Sequence, residues 1–275
     1  MGRLRDQVAI VTGGGRGIGR EICTAFAAEG ARIAVMARTE EQVFETVRQI
    51  GDKGGVAIGV TADVTDLGAV ESMVRRVESE LGLAAILMNN AASNSTQGPA
   101  TEAEPVAWWR DVTTNLLGPF HTCRTVLQGM LRRGRGRIIN MVGAGTEGPF
   151  AYLSGYASSK AALMSLTETL DLEVRESGVK VFAMDPGLVR TAMNEAVIES
   201  GAMKRWFPRI HDMFEQGQDV PTTSAAALAV EIASGRLDEL HGRLFGVDDN
   251  LEVVLAKKDR ILAEDLKTLR IRELT

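Results

Sequence analysis

Two residues of the stretch "GAGTEGPFAYLSGYASSKAAL" (143–163) invite a chemical reading, Tyr156 and Lys160, spaced as Y-x-x-x-K. On a helix that spacing is one turn, so both side chains share a face. A phenol with an ordinary pKa of about 10 exchanges protons poorly near neutrality, and a neighbouring cation draws it down. Such a pair suits a general acid that meets the charge left on a carbonyl oxygen after hydride addition, or a base toward the corresponding alcohol. The same spacing also describes an amphipathic helix whose lysine reaches out to water. The surrounding residues must decide.

A second signal lies at the other end of the chain. "TGGGRGIG" (12–19) follows an apolar run and opens a helical pattern. Gly13, Gly17 and Gly19, with Arg16 and Ile18 between them, allow a tight turn and close approach of a pyrophosphate to backbone. The helix N-terminus then offers free N–H groups and positive dipole. The order is G-x-x-x-G-x-G rather than the commoner G-x-G-x-x-G. Where the next apolar run ends, an acid would bond a ribose 2′-hydroxyl and repel a 2′-phosphate. The sequence has Ala37 and Arg38 there. Arg16 and Arg38 together point to NADP(H) rather than NAD(H).

These residues need a frame. Short apolar, β-branched runs at 7–13, 31–37, 55–64, 84–91, 136–143, 178–187 and 241–247 read as strands. Helical patterns at 17–29, 40–50, 66–81, 104–131 and 152–176 alternate with them. Nearly all-apolar strands belong to a parallel sheet covered on both faces, and strict alternation requires right-handed crossovers. The expected fold is a single-domain α/β, Rossmann-like, doubly wound parallel sheet of about seven strands over 1–275. Two segments break the rhythm. Residues 190–220 carry Met193, Met203, Trp206, Phe207, Met213 and Phe214. Residues 249–272 form a charged tail with Leu255, Ile261, Leu262, Leu266 and Leu269 expected on one side.

Composition removes several alternatives. A net charge of −5 without charged blocks gives no reason to expect nucleic acid or an anionic membrane surface. No apolar run reaches the roughly 20 residues a bilayer span needs. Cys23 and Cys123 are too few for a disulfide framework and read as buried thiols. His121, His211 and His241 lack metal-ligand spacing, so no metal is expected. A core strand begins by Val8, which leaves no room for a signal peptide, and the cytoplasm is the expected location.

Taken together, the glycine turn, "DV" at Asp63-Val64, "NNAA" at 89–92, Asn115, Y-x-x-x-K and "DPGLVRT" at 185–191 resemble the short-chain dehydrogenase/reductase family over about residues 5–247. The resemblance implies roles. Asp63 and Val64 would receive the adenine, and Asn90 and Ala91 would pass under its ribose. Pro186, Gly187, Val189 and Thr191 would line the nicotinamide carboxamide. Lys160 would hold the nicotinamide ribose and lower the Tyr156 pKa. Asn115 would position a relay water. Residues 190–220 would cover a small-molecule substrate whose apolar character the methionines and aromatics suggest. Pairing through the fourth and fifth helices would give a homodimer or homotetramer, with the tail packed on its own subunit or, slightly favoured, on a neighbour.

One departure matters. The family usually carries a serine thirteen residues before the tyrosine, and this chain has Gly143 there, in "NMVG". That serine polarises the substrate carbonyl. Three readings follow. Another hydroxyl (Ser93, Thr146, Tyr152 or Ser154) replaces it; the substrate needs less help; or the protein no longer performs redox chemistry and binds NADP(H) in a regulatory or scaffold role or for a non-redox step.

Overall fold

Every residue of the strand Val8–Thr12 is buried, and its side chains alternate between two apolar layers. Val8 and Ile10 enter one, Ala9 and Val11 the other. A strand of that kind must be covered on both faces, and the computed structural model, which describes residues 2–270, shows how. In chain order the elements are β1 (Val8–Thr12), α1 (Gly17–Ala28), β2 (Arg32–Ala37), α2 (Glu40–Asp52), β3 (Val56–Thr61), α3 (Leu67–Glu80), β4 (Ala84–Asn89), α4 (Pro105–Val112), α5 (Gly118–Arg133), β5 (Gly136–Met141), α6 (Ser154–Val174), β6 (Val179–Asp185), α7 (Ala192–Glu199), α8 (Ala202–Trp206), α9 (Pro208–Glu215), α10 (Thr222–Ala233), β7 (Leu244–Gly246), α11 (Leu251–Ala256) and α12 (Lys258–Ala263). The seven strands form one parallel sheet in the order β3-β2-β1-β4-β5-β6-β7. Helices α1 and α10 close one face, and α3, α5 and α6 the other. The expected doubly wound fold is the observed one. Among the described residues no helix is long and apolar enough to cross a membrane.

The order places β1 beside β4, so the chain leaves β1 in one direction and β4 in the other. A crevice opens at their carboxyl ends. The Thr12 hydroxyl accepts from the Asn90 and Ala91 backbone N–H groups at 3.0 and 3.1 Å, and the Asn90 amide donates to the Thr12 and Gly13 carbonyls at 2.9 and 3.2 Å. These bonds fix both lips of the crevice.

The long helix expected at 104–131 is observed, running without a break from Pro105 to Arg133 with a π-turn at Thr113–Leu117 inside it. Two element readings need correction. Helix α10 has no counterpart in the sequence reading. Seven of its residues are buried, chiefly alanines, so it carries no polar stripe to give a 3.6-residue period. The tail is not one amphipathic helix, because the chain turns at Lys257 and again after Ala263. Val254 and Ile261 are buried in its own subunit's core, while Leu262, Leu266 and Leu269 remain exposed. The Leu244 N–H donates to the Lys267 carbonyl at 2.9 Å, and the Lys267 ammonium pairs with Asp249 at 2.7 Å. The tail thus covers the β7 edge of its own sheet. Residues 271 and 272 of the expected tail, with the remainder of the chain to 275, lie outside the described residues.

Truncating Ile261 to alanine leaves a void beneath the tail. The expected loss is about 2–5 kcal/mol of unfolding free energy, read by urea denaturation. A change below about 0.5 kcal/mol would show that the tail is no part of the core.

Candidate active site

The crevice widens into a cavity of about 570 Å³ that runs from β2 to the helices α7–α9. At one end the glycine turn opens onto α1. Gly19 has no room for a side chain, because a Cβ there would lie 2.2 Å from the Gly13 carbonyl oxygen. Gly13 adopts φ +66°, and a Cβ on it would meet the Asn90 amide at 2.7 Å. Arg16 precedes α1 and makes no side-chain cap, so the first N–H groups of this twelve-residue helix are free to face an anion. Arg16 and Arg38 both line this end, with Asp63 and Val64 beside them. Arg38 approaches Asp63 at 3.8 Å, and Asp63 accepts from the Thr65 N–H and hydroxyl at 2.9 Å. The turn therefore fits a dinucleotide pyrophosphate, with cations at the adenosine end.

The same cavity holds Tyr156 and Lys160 in its middle. Gly13, Arg16, Gly17, Ile18, Gly19, Arg38, Asp63, Val64, Asn90, Ala91, Pro186, Gly187, Val189 and Thr191 all line it as well. Of the site residues named from sequence, Asn115 alone is absent from its walls. That side chain is fully buried, and its amide is consumed. Its oxygen accepts from the Ser93 N–H at 2.7 Å, and its nitrogen donates to the Ser93 carbonyl and the Ser159 hydroxyl at 2.9 and 3.0 Å.

The electrostatics differ from the sequence expectation. Tyr156 is not drawn down. Burial raises its pKa above the ordinary value, and the Asp185 and Asp111 carboxylates raise it further. Lys160 donates to the Met141 carbonyl at 2.7 Å, with its ammonium 5.5 Å from the Tyr156 ring centre. Burial pushes Lys160 down to about 8, against the opposing pull of Asp185. Asp185, which ends β6 and lines the cavity, is itself raised by burial, although the Gly187 N–H and Lys160 both favour its charged form.

None of the four hydroxyls considered as substitutes at Gly143 lines the cavity. Ser93 donates to Asp111 at 2.6 Å, and Ser154 accepts from the Trp108 indole at 3.1 Å. Tyr152 lies against Trp206 with ring centres 4.9 Å apart, and Thr146 is buried beneath the Gly143 turn. A Cβ on Gly143 would lie 3.0 Å from the Tyr156 hydroxyl. The position opposite the phenol is therefore the one that lacks a side chain.

Beyond Tyr156 the wall is apolar: Phe150, Leu153, Val197, Met203, Phe207 and Ile210. Of the aromatic and methionine residues noted at 190–220, Met193, Met203 and Phe207 reach the cavity. Phe214 instead packs inside the helical cap, where Arg190 lies over its ring at 5.0 Å and donates to its carbonyl.

A family model described as short chain dehydrogenase matches residues 7–201. The chain belongs to the short-chain dehydrogenase/reductase family. A short chain dehydrogenase of Pseudocercospora fijiensis is 32% identical over 270 residues, which cover 94% of this chain and 86% of that protein. Among solved structures, a variant of an actinorhodin polyketide ketoreductase with NADPH aligns with TM-score 0.82 and 32% identity, covering 88% of this chain and 95% of that one. A gluconate 5-dehydrogenase from Burkholderia cenocepacia, in complex with NADP and tartrate, aligns with TM-score 0.80 and 28% identity, covering 92% and 98%. The short-chain dehydrogenase/reductase described here is an NAD(P)-dependent oxidoreductase. Its family had been legible in the motifs. Asn94 and Asp185, which also line the cavity, had not been singled out, and no spacing rule marks either.

The buried ammonium yields a test. Between about 8 and 10.5 the folded chain has released the Lys160 proton that the unfolded chain still holds. Stability therefore rises with pH through that window, and the whole burial penalty stands below it. Lys160→Met keeps the stem and removes the charge. It is expected to be more stable than wild type at pH 7, by up to about 3 kcal/mol. The gap should close toward pH 10.5. Equal urea midpoints at pH 7 would show that the ammonium carries no such penalty.

Proposed function

We propose that this enzyme interconverts a ketone and a secondary alcohol on a bulky, apolar small molecule, using NADP(H), with Tyr156 as acid and base. The observation that carries the reading is the continuity of one cavity. The glycine turn and the two arginines occupy one end, the phenol the middle, and a mainly apolar wall the other end.

In this reading the dinucleotide lies along the crevice. The free N–H groups of α1 hold its pyrophosphate, Arg16 and Arg38 its 2′-phosphate, Asp63 and Val64 its adenine, and Pro186 to Thr191 its carboxamide. Bound there, it would supply or accept the hydride. Lys160, released from the Met141 carbonyl, holds ribose hydroxyls, and its charge then offsets the burial that raises the Tyr156 pKa. Tyr156 donates its proton to the oxygen of a ketone, or takes the proton of an alcohol. Asn115 acts as a positioning residue, since its amide ties Ser93 to Ser159, and the Ser159 hydroxyl donates to the Tyr156 carbonyl at 2.6 Å. Residues 190–220 serve as the substrate lid. The preference for NADP(H) draws support from the cations beside β2 and from the NADPH and NADP seen in the two related structures.

A homodimer or homotetramer through α5 and α6 accords with the exposure of Phe120, Leu131 and Leu172 on those helices.

NADPH oxidation with a panel of bulky ketones tests the reaction. Tyr156→Phe is expected to reduce kcat by about 10²–10⁴ while nucleotide affinity stays within a few-fold. Unchanged turnover in that variant would remove the phenol from the mechanism. Arg38→Asp is expected to weaken NADPH by about 10–100-fold, the loss of a charge-assisted contact, and to spare NADH. Equal weakening of both nucleotides would defeat the 2′-phosphate assignment.

A further inference from the structure

Removal of the serine leaves the carbonyl oxygen without its second hydrogen bond. Of the side-chain donors along the cavity, Thr39 and Gln42 lie with Arg38 beside β2, Thr191 accepts the Asn194 N–H at the start of α7, and Thr114 offers a buried hydroxyl next to Asn115. The Asn90 amide is spent on Thr12 and Gly13, and the Asn194 amide donates to the Val189 carbonyl at 2.8 Å. Arg16 and Arg38 stand at the adenosine end, and Lys160 donates to Met141. Asn94 differs. Its side-chain oxygen accepts from the Gln97 amide at 3.0 Å, and its backbone carbonyl accepts from the same group at 2.7 Å. The Asn94 amide nitrogen has no protein partner among the described residues, and the residue lines the cavity with Gly143 and Tyr156. The bond from Gln97 fixes which end of the amide is left over, and that end is a donor.

The residues on either side of Asn94 are clamped. Asp111, fully buried, accepts from the Ser93 hydroxyl at 2.6 Å, the Ser95 N–H at 2.8 Å, the Thr96 N–H at 3.1 Å and the Thr96 hydroxyl at 3.0 Å. Asn115 holds both the N–H and the carbonyl of Ser93, and through Ser159 it joins that loop to the backbone of Tyr156. A buried carboxylate is costly unless fully bonded, and here its bonds go entirely to this loop. The loop is therefore rigid and referenced to the helix that carries the phenol. Such rigidity is the condition under which a single N–H group stabilises developing charge well.

We infer that the Asn94 side-chain amide supplies the hydrogen bond that the missing serine would otherwise make, so that the substrate carbonyl oxygen is bound between Asn94 and Tyr156. The inference rests on the ketone-reduction reading above. Hydride adds to the carbonyl carbon, the π pair moves onto oxygen, and the Tyr156 proton ends there. The Asn94 N–H donates throughout and is not transferred. Asn94 is thus a catalytic residue for this reaction, and Asp111 is its positioning residue.

Asn94→Ala removes the amide, and Asn94→Asp keeps the acceptor for Gln97 while removing the donor. Both variants are expected to lose about 10²–10³ in kcat for an unactivated ketone, the cost of deleting one such donor. NADPH affinity, read by fluorescence titration, and thermal midpoint should stay near wild type. The loss in Asn94→Ala should shrink at least tenfold for the α-trifluoromethyl analogue of the same ketone, which needs less polarisation. Near-normal kcat in either variant would overturn the inference, as would an equal loss on both ketones, which would reduce Asn94 to a packing group. Wild-type protein that reduces no ketone would instead overturn the proposed reaction, and this inference with it. Turnover by wild type that dies with Tyr156→Phe secures the reaction independently of the Asn94 result.

Discussion

The working end of the molecule depends on one constraint, the reversal of strand order between β1 and β4. Two chains leaving adjacent strands in opposite directions expose backbone groups that no ladder can satisfy. The chain answers with two side chains. Thr12 accepts N–H groups from the β4 end, and Asn90 donates to carbonyls at the β1 end. The crevice is therefore an opening with fixed lips rather than a gap between loose loops. The glycine turn, with Gly19 packed against the Gly13 carbonyl, can be close and curved because its far side is bonded in this way.

The same solution recurs along the carboxyl edge of the sheet. Asn89 donates to Asn140 at 2.8 Å and accepts from Thr122 at 2.7 Å, and Asn140 donates to Thr167 at 2.9 Å. Asn115 and Asp111 then bind the next loop. All of these groups are buried and bonded, so each stiffens its surroundings at little net cost. They form a polar layer between the apolar core and the cavity. Lys160 is the exception in kind. It is a cation 2% exposed, held by one carbonyl, and it represents stability given up at a position where charge is needed.

Much of this arrangement could be read from the sequence because it is local or periodic. The glycine turn, the Y-x-x-x-K turn and the arginine after β2 each lie within one β-α unit, where spacing dictates geometry. What was missed depends on the third dimension. Asn94 and Asp111 are seventeen positions apart in sequence, and only the fold of the β4–α4 loop joins them. The Tyr156 proton affinity reverses its expected direction chiefly because the phenol is buried, and Asp185, from the end of β6, and Asp111 add to that through space. Helix α10 escaped because its mostly apolar, alanine-rich sequence lacks the strong polar face by which surface helices are recognised. The tail misled because five leucine and isoleucine positions suggest one face only if the helix continues, and it turns twice.

The tail also has a bearing on how copies of this chain can meet. A parallel sheet ends in strands whose outer N–H and carbonyl groups would welcome another strand. On the β7 side, Lys267 takes the Leu244 N–H, and the ion pairs Lys267–Asp249 and Arg270–Glu168 fasten the segment over it. An approaching molecule therefore meets side chains there instead of open backbone. The sheet cannot be prolonged across that boundary, and this flank of the enzyme is closed to growth by strand addition, a safeguard against the open-ended stacking that bare edges invite.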